Sequence, residues 1–203
     1  MTKKFVFLLL TVMVFPVLAY EPQTGDIIFQ MSRSSQSKAI QQATHSRFSH
    51  TGMIVLRNNV PYVFEAIGPV VYTPLQKFIN CGEKGHYIIR RVKGGLSISQ
   101  QQKLVQTATR YLGKPYDLAF SWTDERQYCS EVVWKVYDRA LGIQPGKLQK
   151  LKEFDLNSPV VRAKLNERYG RNIPLNETVI SPQALFDAPQ LETVAKKWTA
   201  KGL

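Results

Sequence analysis

Apolar and polar positions along the chain change rhythm several times, and each change marks an element. Gly25-Asp26 leads into Ile27-Ile28-Phe29-Gln30, an apolar run with the length and β-branched content of a buried strand. Ser32 to Thr44 is mostly polar but carries Ala39, Ile40 and Ala43 at helical spacing, which predicts a short helix. His50 to Leu56 reads as a strand, Asn58-Asn59 as a turn tolerant of positive φ, and Val60 to Ile67 as the returning strand of a hairpin. His86 to Val92 is a further strand. Ser97 and Gln100 form a capping-box pattern that opens a helix with Leu104, Val105, Ala108, Tyr111 and Leu112 on one side. Gly113 and Pro115 stop it.

The clearest helical stripe follows. Val132, Val133, Val136, Tyr137, Ala140 and Leu141 recur at intervals of one, three and four residues, and Gly142 ends the run. Glu131 in the first turn, with Lys135 and Arg139 toward the C-terminus, suits the helix dipole. Beyond Gly142 the chain is basic and charged. Ser158-Pro159 and Ser181-Pro182 each look like an N-cap followed by proline at the first helical position, predicting helices over 159–169 and from Pro182. Repeats and long linkers are absent from the sequence, so 20–203 reads as one α+β domain.

The hairpin has a register that can be worked out. With Arg57 and Val60 flanking the turn, opposed residues have numbers summing to 117, which sets Glu65 opposite Gly52. His50, two residues from Gly52, then shares a face with Glu65 as its diagonal neighbour. The missing side chain of Gly52 leaves room between them for a hydrogen bond. Pro61 is compatible, because its nitrogen points away from the partner strand. Glu65 lies between Phe64 and Ala66 in an apolar run, where a carboxylate requires a partner.

The first nineteen residues change the picture of the compartment. Lys3 and Lys4 precede an apolar stretch from Phe5 to Leu18, and Val17-Leu18-Ala19 is a small-residue cleavage site, the pattern of a secretory leader. No cysteine follows it, which argues against a lipoprotein, and no later segment has the length and apolarity of a membrane span. Loss of the two leader lysines takes the formal charge from +12 to +10. In an exported protein, periplasmic by expectation, that favours acidic partners such as wall polymers or anionic lipid surfaces. Nucleic-acid motifs are absent, and no CxxC, HExxH or similar cluster suggests a metal site; no cofactor is implied.

Cys129 stands at the start of the strongest helix, where free N–H groups and the positive end of the dipole favour a thiolate. It is the candidate nucleophile, His50 its candidate base and Glu65 the acid behind the imidazole. His45 is a rival base in a polar loop without a matching acid, and His86 reads as a strand-entry residue. Cys81, in the loop-like stretch from Asn80 to Gly85, leaves a competing structure open: a disulfide to Cys129 that would remove the nucleophile.

Taken in order, Gly25-Asp26, His50-Thr51-Gly52, Glu65, Tyr116-Asp117 and Tyr128-Cys129-Ser130-Glu131 resemble the permuted NlpC/P60 papain-like cysteine hydrolases, closest to the YiiX/YaeF group of permuted amidases. In ordinary papain-like enzymes the cysteine precedes the histidine; here His50 comes first, by 79 residues. The resemblance implies a circularly permuted papain-like fold, with an antiparallel sheet or small barrel packed against helices. It implies Cys129 as nucleophile, His50 as base and acid, Glu65 as the orienting group and Tyr116 as an oxyanion or substrate-binding hydroxyl. Asp26 is expected to be structural.

Three functions follow as expectations. The leading one is an amidase or peptidase acting on peptidoglycan peptides or other envelope acyl-amides. The second is a lipid acyltransferase or thioesterase using the same thiol, with Leu118, Phe120 and Trp122 as an acyl-binding surface. The third is an envelope-binding module without activity.

Overall fold

The computed structural model describes residues 20–198; the predicted leader lies outside them. Six strands form one antiparallel sheet in the order β4-β3-β2-β1-β5-β8. They are β1 (Ile27–Gln30), β2 (His50–Arg57), β3 (Val60–Ala66), β4 (Val70–Pro74), β5 (Tyr87–Val92) and β8 (Leu191–Lys197). The helices are α1 (Ser37–Thr44), α2 (Leu75–Cys81), α3 (Ile98–Thr109), α4 (Cys129–Leu141), α5 (Pro159–Tyr169) and α6 (Pro182–Phe186). A separate two-stranded ribbon joins β6 (Gln149–Lys150) to β7 (Thr178–Val179).

The sheet buries both faces at its centre. Ile27, Phe29, Met53, Val55 and Phe64 share one core with Leu104 of α3 and Val132, Val136 and Tyr137 of α4. Ile28, Ile54, Val63 and Ile89 point the other way, against Phe78 and Ile79 of α2. A strand covered on both sides needs no polar alternate residue, which explains the unbroken Ile27-Ile28-Phe29 run. Just before β1 the buried Asp26 carboxylate accepts two hydrogen bonds from Arg91, at 2.6 and 2.8 Å, and one from the Tyr20 hydroxyl at 2.6 Å. This ties the N-terminal segment to β5, a structural task.

The hairpin takes the expected register, pairing Arg57 with Val60 through to Met53 with Phe64. Asn58 and Asn59 have φ of 50° and 63°, the left-handed values that a tight two-residue turn demands. The Ser97–Gln100 capping box is formed, and Gly142 closes α4 in the left-handed conformation.

Other elements depart from expectation. The first helix begins at Ser37 rather than Ser32, since residues before it are occupied by bonds such as Ser32 N–H to Ser49 Oγ at 2.9 Å. Cys81 is the last residue of α2 instead of a loop position, and β4 and β8 were not expected. Both thiols are free, Cys81 exposed and Cys129 buried, so the disulfide alternative does not hold. The chain after α4 is more than a charged tail. It packs back on α1 through a small apolar cluster of Ala39, Leu151, Val161 and Leu165.

Candidate active site

Tyr128 is the N-cap of α4 and Cys129 its first residue. The first intrahelical bond runs from Val132 N–H to Tyr128 C=O at 3.1 Å, so the N–H groups of Cys129, Ser130 and Glu131 have no acceptor within the helix. Glu131 Oε2 reaches back to Tyr128 N–H at 3.2 Å, which fixes the entry to the helix. The Glu131 side chain is fully buried and lies 2.7 Å from Lys135 Nζ, an intrahelical ion pair that the dipole argument alone did not anticipate. Burial raises the Glu131 carboxyl above the usual carboxylate range, and Lys135 and the Tyr128 N–H pull it back. Lys135 also bonds Thr123 C=O at 2.5 Å and Asp124 at 3.1 Å, tying the preceding loop to the helix.

Two further bonds hold the same end of α4. Ser130 Oγ donates to Ile180 C=O at 2.7 Å, and Ile180 N–H donates to the Tyr128 hydroxyl at 3.0 Å. The thiol therefore sits on a rigid helix start at 3% exposure.

His50 opens β2, and its Nε2 lies 2.6 Å from Glu65 Oε2. The two groups come together through the hairpin register, with Gly52 between them. A Cβ on Gly52 would stand 2.4 Å from Val63 Cγ1 and 3.2 Å from Glu65 Cβ. The imidazole stacks on Phe78, with centroids 5.5 Å apart. Burial opposes a charge on His50, but its hydrogen bonds to Cys129 and Glu65 outweigh this and push its pKa up to about 10. With Nε2 engaged by Glu65, Nδ1 is the nitrogen left to face the thiol. His50 and Glu65 thus form a buried hydrogen-bonded pair, and the neighbouring Cys129 helps to keep a proton on the imidazole beside the thiol.

Tyr116 lines the same cavity as Cys129. Burial, followed by the charge of Cys129, raises its hydroxyl far above the ordinary tyrosine value, so it stays protonated. Gln36 Nε2 donates to that hydroxyl at 2.8 Å. Asp117, fully buried, shapes the loop beyond by accepting from Ala119 N–H at 2.8 Å and Ser121 Oγ at 3.0 Å. Phe120 has φ of 50°, a strained value for a bulky side chain, and its ring meets Tyr128 edge-on at 4.9 Å.

The cavity beside the thiol has a volume of about 100 Å³ and is almost wholly apolar. Ala39, Ile40 and Ala43 of α1 form one wall, Leu151, Phe154 and Leu156 another, and Val161 and Leu165 of α5 a third. Phe120 joins them, whereas Leu118 is 60% exposed and Trp122 packs on Trp134.

A thiol at a helix start behind a histidine that precedes it in sequence is the papain arrangement in permuted order. The sequence matches the permuted papain-like amidase enzymes of the YaeF/YiiX, C92 family over residues 21–195. The chain belongs to this family. It is 73% identical over 183 residues to "Uncharacterized protein YiiX" of Escherichia coli (strain K12), covering 90% of this chain and 91% of that protein. A solved structure, "Crystal structure of metalloprotein yiiX from Escherichia coli O157:H7, DUF1105", is similar with a TM-score of 0.88 and 73% identity, over 89% of this chain and 100% of that one. The C92 assignment makes the chain a papain-like cysteine hydrolase in general terms, and its mixed architecture is the permuted papain-like fold. Among the described residues of this chain no group of three or more His, Cys, Asp or Glu side chains is arranged to ligate a metal ion.

The rival histidines lie elsewhere in this C92 fold. His45 caps α1 in the left-handed conformation and, contrary to expectation, has an acid partner: Nε2 is 3.3 Å from Asp155 Oδ2, on an exposed surface. His86 precedes β5 and packs against Trp198 at 5.1 Å. Gln36, Arg168 and the cavity walls after Gly142 were not singled out from the sequence. Only the Val161/Leu165 pair, four residues apart on α5, carried a signal of an apolar face.

Proposed function

We propose that this protein is an exported thiol hydrolase whose substrate presents an apolar acyl group on the carbonyl that Cys129 attacks. The observation that carries the reading is the apolar cavity opening onto the thiol. A peptidoglycan stem peptide, rich in carboxylates and amides, would leave polar groups unpaired against such walls. An acyl chain would lose only water. Among the envelope substrates considered, an acyl-amide fits these walls best.

In this mechanism His50 takes the thiol proton, giving a thiolate–imidazolium pair, and Glu65 holds the imidazole in the tautomer that permits it. The thiolate adds to the carbonyl carbon. The oxyanion is received by the free N–H groups at the start of α4 and by the Tyr116 hydroxyl. His50 then protonates the leaving amine, and water attacks the thioester to release the acid and free the thiol.

The test is hydrolysis of straight-chain acyl p-nitroanilides of increasing length, run in parallel with purified muropeptides. Each methylene entering the cavity is worth about 0.8 kcal/mol, so kcat/KM rises about fourfold per added methylene until the cavity is full. Cleavage of muropeptides with no dependence on acyl length would replace this reading by a peptide amidase. Release of acyl groups to lipid acceptors faster than to water would make it an acyltransferase. The export step is tested by fractionation of cells expressing the full chain.

A further inference from the structure

Arg168 is the next-to-last residue of α5, and its guanidinium stands over the Phe120 ring, 4.4 Å from the centroid. One of its nitrogens, Nη2, donates to Gln36 Oε1. Gln36 is the N-cap of α1, and its Nε2 donates to the Tyr116 hydroxyl at 2.8 Å. The direction of this chain is fixed by chemistry. Arginine has donors only, so the amide oxygen of Gln36 must face it and the amide N–H must face Tyr116. The tyrosine oxygen is then an acceptor in that bond, which leaves its own hydrogen available to another acceptor, and the residue lines the same cavity as Cys129.

We infer that Gln36 and Arg168 are positioning residues that orient the Tyr116 hydroxyl as a hydrogen-bond donor to the oxyanion formed at Cys129. This rests on the hydrolase reading above. It gives the α1–α5 layer a second task besides enclosing the acyl chain, because Gln36 and Arg168 both belong to that layer. The positive charge of Arg168, carried through the polarised amide, strengthens the donor at the moment negative charge develops.

The decisive variant is Gln36→Glu. A carboxylate keeps and strengthens the contact with Arg168, so the fold is retained, but it can only accept from Tyr116 and turns that proton away from the cavity. Tyr116→Phe removes the proton altogether. The acylation burst with p-nitrophenyl octanoate is expected to fall about 100–1,000-fold in either variant, the range for loss of one oxyanion donor, and no further in the double variant. Alkylation of Cys129 by iodoacetamide, which forms no oxyanion, keeps the wild-type rate in all three. Arg168→Met should reproduce part of the loss and Arg168→Lys recover some of it.

A wild-type acylation rate in Gln36→Glu, or losses that multiply in the double variant, would overturn the relay. If the wild-type thiol alkylates yet forms no acyl-enzyme, the hydrolase reading fails instead. The relay is then decided by fluorine NMR of 3-fluorotyrosine at position 116. Its resonance should move in both Gln36→Glu and Arg168→Met, and a resonance unmoved in both would refute the chain of bonds.

Discussion

Replacing Glu65 by glutamine probes the imidazole from the side away from the thiol. The substitution keeps a hydrogen-bonding group 2.6 Å from His50 Nε2 but removes its charge. A hydrogen bond to a charged group contributes about 1.5–3 kcal/mol, and a pKa unit corresponds to about 1.4 kcal/mol, so the imidazolium loses about one to two units. From its present value of about 10, His50 should then titrate at roughly 8–9. The sign follows from the mechanism: His50 must hold its proton to face a thiolate and to protonate the leaving amine. Activity is therefore lost as pH rises through the folded-state pKa. The raised value likewise makes the His50 contacts fully stabilising below about pH 6.5 and progressively lost as pH climbs through about 10. The assay is kcat/KM on an acyl p-nitroanilide from about pH 6 to about pH 11. The wild type should show an alkaline limb near pH 10, and Glu65→Gln the same limb displaced toward neutrality. An unmoved or upward-moving limb would refute the claim that Glu65 sustains the imidazolium.

Other expectations follow from packing. Gly52→Ala would set a methyl carbon 2.9 Å from the Phe64 carbonyl oxygen as well as against Val63, so the hairpin must shift, at a cost of about 1–3 kcal/mol in urea melts. Its activity should fall further than stability explains, because Glu65 moves with the strand. Leu165→Trp fills the cavity from α5 and should abolish the gain from longer acyl chains while short ones are still cleaved; an unchanged length dependence would show that chains bind elsewhere. Asp26→Ala leaves Arg91 unpaired beside a buried site and should cost about 3 kcal/mol by denaturant unfolding, toward the low end for a buried pair since Arg91 is partly solvated.

What the sequence made legible was local or periodic. The hairpin register followed from an Asn-Asn turn of known twist, and that register alone brought His50 to Glu65. The helix start at Cys129 was equally readable, from the stripe Val132 to Leu141 and the stop at Gly142. By contrast, β8 is an edge strand whose charges, Glu192 and the adjacent Lys196 and Lys197, follow no regular alternation, and it is a strand only because β5 offers it a partner. The strand β4 is five residues long and closes on a proline, too brief for a period to emerge. The acid partner of His45 lies 110 residues away at Asp155, and the donors behind Tyr116 come from two helices far apart in the chain. Such convergence leaves no trace in local spacing. The cavity was hidden for the same reason: the apolar faces on α1 and α5 show in the spacing, but nothing local says that they and Leu151 to Leu156 meet around one space.

The central claim is covalent chemistry at Cys129 with the acyl group lodged in the adjoining cavity. Acid-quenched mass spectrometry of the purified protein mixed with p-nitrophenyl octanoate tests it directly, with peptide mapping to locate the adduct. The predicted result is one octanoyl group on the Cys129 peptide, absent from Cys129→Ala and greatly reduced in His50→Ala. Acylation confined to the exposed Cys81, or an unmodified protein that still turns over the ester, would contradict it.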